Sequence, residues 1–348
     1  MATLGDPFGS HRAVEPQGSL PQAAQKLDND FSKFFETEML LDVETLNIDA
    51  ASFRQMEEAS IAEGDAGVVR LVQETVNARG KQHNPVTGSG GMLLGRVARV
   101  GSARTGDAAK VGDRVATLVS LSLTPLRIDS VSKVHKVAAQ LEIKGQAVLF
   151  ASGAYAVLPS DMSERLALAA LDVAGAPPQV ARICKEGESV LILGAGGKSG
   201  ILCAYEARKH VGPKGRVVGV ESYEPFARDL AELDLCDEIL VCDARDPLAV
   251  REMALAANAG REYDRSISCV NVPDAEMSCI LSTRDRGMIY FFSMTTSFTR
   301  AALGAEGVGK DVDMIVGNGF AAGHAEHTLN LLREAPEIRA LFEERYTK

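Results

Sequence analysis

A glycine-rich segment that follows a run of apolar residues is the strongest chemical signal in this sequence. Ser189–Leu193 predicts a buried strand, and the helix predicted next covers Ile201–Lys209. Glycines between a strand and a helix let a dinucleotide pyrophosphate approach the main chain at the helix N-terminus. We expect the phosphate contacts to come from Gly194, Ala195, Gly196, Gly197, Lys198 and Ser199.

The spacing of these glycines departs slightly from the strict dinucleotide fingerprint. The third glycine of that pattern falls on Ser199, with Gly200 one residue later, so we expect the packing of helix on strand to accommodate a serine. An ATP-binding phosphate loop would need a further glycine where Ile192 stands, which excludes that alternative. A tight turn without a ligand is the remaining alternative.

Polar residues at the ends of the following strands would complete the coenzyme site. Glu221 follows the next predicted strand and is expected to accept a hydrogen bond from the adenosine ribose, which favours NAD over NADP. A solvated loop carboxylate is the alternative. Because ligands bind at the carboxyl ends of parallel strands, Asp243 is expected near the adenine, and Asn271 and Ser293 along the rest of the dinucleotide.

The elements that position these residues alternate between strand and helix from about residue 164. This alternation predicts a doubly wound parallel sheet, a Rossmann nucleotide-binding domain over 164–319. The predicted strands are Ser189–Leu193, Arg216–Val220, Glu238–Val241, Arg265–Val270, Gly287–Phe292 and Val312–Val316.

The first part of the chain, 1–163, predicts a β domain instead, a distorted barrel. Glu63–Arg79 predicts an amphipathic helix between its strands, and Ala325–Tyr346 predicts one or two helices in a segment, 320–348, that returns to this domain. The strands predicted here are Met39–Leu46, Met92–Val100, Arg114–Leu121 and Tyr155–Leu158.

Length and composition limit the classes of partner. At about 150 residues per domain, 348 residues correspond to roughly two domains. The net charge of −10 and the absence of tryptophan argue against nucleic acid and anionic membranes as partners. Without a signal-peptide core, a membrane-spanning run or paired cysteines, we expect a cytoplasmic protein with free thiols. A homodimer is the default expectation for its assembly.

The order of elements resembles the medium-chain dehydrogenase/reductase superfamily. That resemblance implies a GroES-like β domain followed by a Rossmann domain. Its motifs are LGRVARVG at 94–101, KVGDRVA at 110–116, GAYAVLP at 153–159 and GESVLIL at 187–193.

Other segments resemble one family in particular, the L-erythro-3,5-diaminohexanoate dehydrogenases of lysine degradation. This resemblance implies NAD-dependent oxidative deamination of a small diamino acid to 5-amino-3-oxohexanoate and ammonium. The segments are TLNID at 45–49, KQHNPVTGSGG at 81–91, ATLVSLSLTP at 116–125, LDVAGAP at 171–177 and GAGGKSG at 194–200.

The resemblance to the superfamily also bears on metal binding. Its zinc enzymes use a cysteine and a histidine at positions that correspond here to Asp49 and Ser89. Because zinc prefers thiolate and imidazole ligands, we expect a zinc-independent enzyme with no metal site. Ser89 is counted instead among the candidate substrate-binding residues.

Deamination requires an acid/base group, and three residues are candidates. His83 is the first, because its ordinary pKa of about 6.5 allows proton exchange near neutrality. Asp49 could bind a substrate ammonium or cap a turn, and Asp172 could serve as an acid/base group or cap the helix that begins near 175–177. A loop histidine bonded to the main chain is the alternative for His83.

The substrate carboxylate needs a cation, for which Lys81 is the first candidate and Arg300 the second. Two other functions fit the same scaffold. A zinc-free quinone or enone reductase would normally use NADPH, which Glu221 disfavours. A non-catalytic redox sensor would keep the nucleotide site without an acid/base cluster.

Overall fold

The computed structural model describes residues 4–84, 88, 90–106, 108–136, 138–293, 295–317 and 319–347, without the side chains of 50 and 51. The chain forms two compact units, Met1–Asp161 and Met162–Lys348. Each is described by itself below.

The first unit is a β domain whose described residues include two α-helices. Its main sheet has the strand order β6-β7-β3-β4-β5-β8, and every neighbouring pair is antiparallel. The elements are β1 (Ala13–Glu15), β2 (Lys26–Leu27), β3 (Glu38–Asn47), α1 (Ala50–Ala59), α2 (Asp65–Arg79), β4 (Met92–Val100), β5 (Arg114–Thr117), β6 (Leu126–His135), β7 (Gln140–Phe150) and β8 (Tyr155–Val157).

A large apolar core lies on one face of the main sheet of this unit. Leu41 and Leu46 of β3, Leu93 of β4, Val115 of β5 and Leu141 of β7 are buried in it. The strands contribute alternate residues, so that one face of the sheet is removed from water. The buried valines of α2 pack on the same core, which makes the predicted helix a cover for the sheet.

The second unit is a doubly wound domain, which confirms the predicted fold class. Its sheet is parallel, in the order β11-β10-β9-β12-β13-β14. The elements are α3 (Glu164–Leu171), α4 (Ala176–Ile183), β9 (Ser189–Leu193), α5 (Lys198–Val211), β10 (Arg216–Glu221), α6 (Glu224–Glu232), β11 (Glu238–Val241), α7 (Pro247–Ala257), β12 (Tyr263–Ser268), α8 (Glu276–Ser282), β13 (Thr283–Phe291), α9 (Phe298–Val308), β14 (Asp313–Val316), α10 (His324–Glu334) and α11 (Pro336–Tyr346).

The last two helices belong to this second unit. α10 packs on α3 and α4, and α11 packs on α3, with Leu329, Leu332, Ile338 and Phe342 buried. The structure therefore differs from the predicted return of 320–348 to the first domain, because the apolar faces of these helices are covered by second-unit helices. Within the described part of the chain, no helix combines the length and apolar character needed to cross a membrane.

Candidate functional site

The glycine turn, Gly194–Gly197, connects β9 to α5 at the carboxyl end of the central strand. Gly194 has a φ of +72°, in the left-handed region that favours glycine. The N–H groups of Gly194 and Ala195 both donate to the carbonyl of Val220, at 2.8 and 3.2 Å. These bonds hold the turn against the end of β10.

The first turn of α5 presents main-chain donors beyond the glycine turn. The N–H of Ile201 donates to the carbonyl of Gly197 at 3.0 Å, and the amides of 198–200 precede this first helical bond. A Cβ built on Gly197 would meet, within the described residues, only the Gly194 carbonyl, at 3.6 Å. The space beside Gly197 is therefore open to an anion bound at the helix N-terminus.

Gly200 provides the close packing between helix and strand that the fingerprint assigns to its third glycine. A Cβ on Gly200 would lie 2.0 Å from the Gly194 carbonyl oxygen and 2.6 Å from the Ala195 Cα. Ser199 is buried but lies one residue before this contact. The closest approach of helix and strand therefore falls on Gly200, one residue after the position of the third glycine in the strict fingerprint, and the buried Ser199 is accommodated beside it.

Glu221 ends β10 with its carboxylate on the glycine turn. The residue is 8% exposed, and its Oε2 accepts a hydrogen bond from Gly196 N–H at 3.1 Å. Its Oε1 accepts one from Tyr223 N–H at 3.0 Å. Glu221 is therefore held in place and is no solvated loop residue, while its carboxylate oxygens keep lone pairs for a further donor.

Lys198 and Asp172 form an ion pair beside the same turn. Lys198 Nζ lies 2.7 Å from Asp172 Oδ2, and the ammonium lies 5.3 Å from the centre of the Tyr346 ring. Asp172 is the C-cap residue of α3, and α4 has Gly175 as its N-cap. Asp172 is therefore not the N-cap of α4, and the capping alternative is wrong. Its carboxylate binds the Lys198 ammonium instead.

The residues expected along the rest of the dinucleotide follow their strands as predicted. Asp243 pairs with Arg245, whose hydrogen bonds lower the pKa of the Asp243 carboxyl to about 2. Ser293 Oγ lies 2.8 Å from Thr295 Oγ1, which donates to the Val272 carbonyl at 3.2 Å. Asn271, which is exposed, directly precedes Val272 in the sequence. The loop after β12 and the loop after β13 are thus joined by a hydrogen bond.

Arg300, the second candidate for a substrate carboxylate, lies on α9 and pairs with Asp274. The two side chains are 54% and 58% exposed. An exposed ion pair of this kind contributes little stability, but it occupies the guanidinium. The contact with Asp274 was not predictable from the sequence, because the loop that carries it has no periodic pattern.

Asp49 caps α1 in the first unit. Its Oδ1 accepts from Ser52 N–H at 2.9 Å, and its Oδ2 accepts from Ser52 Oγ at 2.5 Å. Ser52 Oγ in turn accepts from Asn84 Nδ2 at 2.8 Å, and the same amide donates to Gln55 Oε1 at 3.0 Å. The turn-capping alternative for Asp49 is the one observed, and the cap connects α1 to the segment that carries His83.

His83 is half-buried next to this network. Its Nδ1 is buried and has no hydrogen-bond partner within the described ranges. Burial lowers the pKa of the imidazole, and the nearby charges of Lys81 and Arg79 lower it further. The ring is therefore neutral at neutral pH, the state that a general base requires.

The ammonium group of Lys81 is buried and hydrogen-bonded to the main chain. The residue is 1% exposed, and its ammonium donates to the main-chain carbonyls of Pro21 at 3.0 Å and Ala24 at 2.6 Å. Burial lowers the pKa of Lys81 to about 8. These contacts give no support to the predicted contact with a substrate carboxylate, because the donors point at the amino-terminal segment.

Replacing Lys81 with methionine is expected to lower the free energy of unfolding by about 1 to 3 kcal/mol, because two buried carbonyls lose their donor. The Michaelis constant of the substrate should stay unchanged. Denaturant unfolding and steady-state kinetics measure both quantities, with the exposed Lys144→Met as control. If the variant is as stable as the wild type and its Michaelis constant for the substrate is raised, Lys81 does bind the substrate carboxylate.

Ser120, Gly90 and Gly91 were assigned no role from the sequence, but they make close contacts in the loops near Asp49 and His83. Ser120 Oγ accepts from Gly90 N–H at 3.0 Å. Gly91 has a φ of +88°, and a Cβ there would lie 2.0 Å from the Asn47 carbonyl oxygen. The glycines of 88–91 are the signal that could have shown this close approach. Ser89, a candidate substrate-binding residue, lies outside the described residues, as do residues 85–87.

The described residues contain no group of three or more histidine, cysteine, aspartate or glutamate side chains with the geometry to hold a metal ion. Asp49 uses both carboxylate oxygens on Ser52. The six cysteines are free thiols that all lie in the second unit, at 184, 203, 236, 242, 269 and 279.

Solved structures resemble this fold at low sequence identity. The structure of AibC matches with a TM-score of 0.55 and 18% identity, covering 86% of this chain and 78% of that one. Escherichia coli quinone oxidoreductase, solved in complex with NADPH, matches with a TM-score of 0.51 and 16% identity, covering 88% and 81%. These likenesses concern the fold alone.

Sequence relatives are much closer. The family model of the L-erythro-3,5-diaminohexanoate dehydrogenase N-terminal domain matches residues 11–159. The L-erythro-3,5-diaminohexanoate dehydrogenase of Acetoanaerobium sticklandii is 55% identical over 98% of this chain and 99% of its own length. The enzyme of the same name from Fusobacterium nucleatum is 53% identical over 98% and 99%. Because the identity is this high over nearly the whole length, the chain belongs to the family of L-erythro-3,5-diaminohexanoate dehydrogenases.

Proposed function

We propose that this chain is an NAD-dependent amine dehydrogenase that converts L-erythro-3,5-diaminohexanoate to 5-amino-3-oxohexanoate and ammonium. The observation that carries the proposal is the identity of 53% to 55%, over nearly the full length, with two dehydrogenases of that name. The glycine turn and the position of Glu221 support it independently, because they lie where a doubly wound sheet binds a dinucleotide.

The residues present fit a nicotinamide dinucleotide. Its pyrophosphate would lie on the glycine turn, beside Gly197 and at the amides of 198–200, where a side chain is missing and main-chain donors point outward. Its adenosine ribose would donate to the Glu221 carboxylate. When bound, the coenzyme supplies the acceptor for the hydride.

The charges around Gly196 favour NAD over NADP. Glu221 contacts the Gly196 N–H, and the nearby Asp229 is paired with Arg345. Because Arg345 offsets the charge of Asp229, the negative charge of Glu221 is the net charge of these three side chains. A ribose hydroxyl can donate to the carboxylate, whereas a 2′-phosphate would be repelled by it.

Replacing Glu221 with glutamine is expected to lower the preference for NAD over NADP by about tenfold or more, since the charge that repels a 2′-phosphate is lost. The amide keeps the size of the side chain. Dissociation constants of both coenzymes, measured by calorimetry, check the ratio. The control is Glu232→Gln, an exposed glutamate on α6. An unchanged ratio would show that Glu221 does not contact the ribose.

The reaction needs a proton acceptor besides the hydride acceptor. A neutral amine loses a hydride from its carbon, the resulting iminium carbon is attacked by water, and ammonium leaves. Overall, the protonated amine, NAD⁺ and water become the ketone, ammonium, NADH and one proton. His83 is the proposed base, since it is neutral and its Nδ1 lacks a partner among the described residues. Asp49 is proposed to orient the His83 segment through Ser52 and Asn84.

The same proposal assigns no role to zinc. The carboxylate of Asp49 is engaged by Ser52, and the first unit contains no cysteine thiolate. Zinc prefers thiolate and imidazole ligands, which the position of Asp49 does not provide. Activity is therefore expected to survive prolonged dialysis against a chelator.

The direct test mixes the purified chain with L-erythro-3,5-diaminohexanoate and NAD. We expect NADH and ammonium in equal amounts, from chelator-treated and untreated protein alike. Absence of both products, together with oxidation of NADPH by quinones, would replace the proposal with the reductase alternative. A chelator-treated enzyme that zinc alone reactivates would overturn the zinc-free mechanism while leaving the substrate assignment intact.

A further inference from the structure

The end of the chain reaches the glycine turn. Arg345, in the last turn of α11, donates from Nη1 to the carbonyl oxygen of Gly196 at 2.7 Å. The two residues are 149 positions apart in the sequence. The Arg345 side chain is 9% exposed, so this charge-assisted hydrogen bond is partly shielded from water.

Arg345 is itself held by α6. Its Nε donates to Asp229 Oδ2 at 3.0 Å, and its Nη2 contacts the same oxygen. The guanidinium lies over the ring of Phe226, 4.0 Å from the ring centre. A planar guanidinium can donate in several directions at once, so it joins α6, α11 and the glycine turn, which a lysine could not do equally well.

The peptide groups on both sides of Gly196 are thereby held. Glu221 accepts from the Gly196 N–H, which fixes the preceding peptide plane, and Arg345 donates to the Gly196 carbonyl, which fixes the following one. Because a peptide is planar and trans, the Gly196 carbonyl and the Gly197 N–H point in opposite directions. The contact with Arg345 therefore sets the direction of the Gly197 N–H.

Glycine makes this support necessary. Two successive glycines, Gly196 and Gly197, can rotate their peptide planes with little steric penalty. Among the described residues, the Gly197 N–H has one acceptor, the Gly194 carbonyl, at the long distance of 3.3 Å. Without an external donor, the plane between the two glycines would sample several orientations, and a bound anion would have to select one of them.

We propose that Arg345 is a positioning residue for coenzyme binding, which makes the last helix part of the coenzyme site. The proposal deepens the proposed function and rests on it, because the ligand of the turn is taken to be NAD. Arg345 acts through Gly196: it keeps the Gly197 N–H directed at the Gly194 carbonyl, and in this form of the turn the amides of 198–200 are left to meet the pyrophosphate. Asp229 and Phe226 keep the guanidinium in that position.

The test replaces Arg345 with methionine, which keeps an unbranched apolar stem on Phe226 and removes the donors. We expect the dissociation constant of NAD, measured by calorimetry, to rise about tenfold to a hundredfold, as the loss of a charged hydrogen bond implies. The value of kcat at saturating NAD should change less than about twofold, because no reacting atom is touched. Millimolar guanidinium should restore much of the affinity. Arg339→Ala, on the same helix and paired with Glu343, is the matched control.

A second variant guards against a failure to fold. Asp229→Asn keeps the shape of the side chain and leaves Arg345 in the chain. It weakens the ion pair that holds the Arg345 guanidinium in place. A smaller rise of the dissociation constant in the same direction is expected, with thermal unfolding followed in parallel. NAD affinity that is unchanged in the folded variants, or a fall of kcat instead, would overturn the proposal. A wild-type chain that binds no nicotinamide coenzyme would overturn the proposed function itself.

Discussion

Replacing Gly197 with valine is expected to abolish measurable NAD binding while changing the free energy of unfolding by no more than about 1 kcal/mol. A Cβ at this position has open space, with the Gly194 carbonyl at 3.6 Å as its neighbour in the described chain. The backbone has a φ of −79° and a ψ of 174°, which any residue can adopt. The branched side chain would occupy the space where the pyrophosphate is proposed to lie.

Calorimetric titration with NAD and denaturant unfolding separate the two effects. Gly307→Val on α9 is the control, because no atom of the described residues lies within 4 Å of a Cβ there. Gly196 is less suitable for the test, since a Cβ on it would lie 2.8 Å from Phe226 and 3.0 Å from Glu221 even without a ligand. A Gly197→Val variant that binds NAD like the wild type would exclude the turn as the phosphate site.

Replacing His83 with glutamine is expected to lower kcat by about 10² to 10⁴-fold, the usual contribution of a general base. The dissociation constant of NAD should be unchanged. Because burial lowers the pKa of His83 below its ordinary value of 6.5, the imidazole becomes protonated only below that pH. Wild-type kcat should therefore fall as the pH is lowered through the His83 pKa, and this decline should be missing in the variant.

The pH dependence of kcat, measured for both proteins, provides the check. His135→Gln is the control, since that histidine also lies in the first unit and pairs with Glu142. If the His83 variant keeps its turnover and its acid decline, another group accepts the proton and the proposed role of His83 is wrong.

Much of the fold follows from local patterns. The predicted strands Met92–Val100 and Ser189–Leu193 coincide with β4 and β9. Most residues of both strands are apolar and a glycine follows each strand directly, a pattern that is local and therefore visible in a single sequence. The parallel order of the second sheet follows from strands that alternate with helices.

The two long strands β6 and β7 were missed, and their geometry explains why. Register shifts between Ile128 and Ser130 and between Val131 and Lys133 interrupt the alternation of β6. In β7, Gly145 breaks the apolar pattern, because a Cβ there would lie 2.2 Å from the Arg127 carbonyl oxygen. Irregular pairing with a neighbouring strand removes the period of two on which strand prediction depends.

The sequence alone predicts where a dinucleotide would approach the main chain, because missing side chains at Gly194, Gly196 and Gly197 are a local property of the chain. It also identified His83 as a residue able to exchange protons near neutral pH. Which charged groups already have partners is visible in the folded chain and not in the sequence. Lys81 binds the carbonyls of Pro21 and Ala24, Asp172 binds Lys198, and Arg345 binds Gly196. The partners of a charged side chain depend on how segments far apart in the sequence pack together. A local pattern of residues carries no information about that packing.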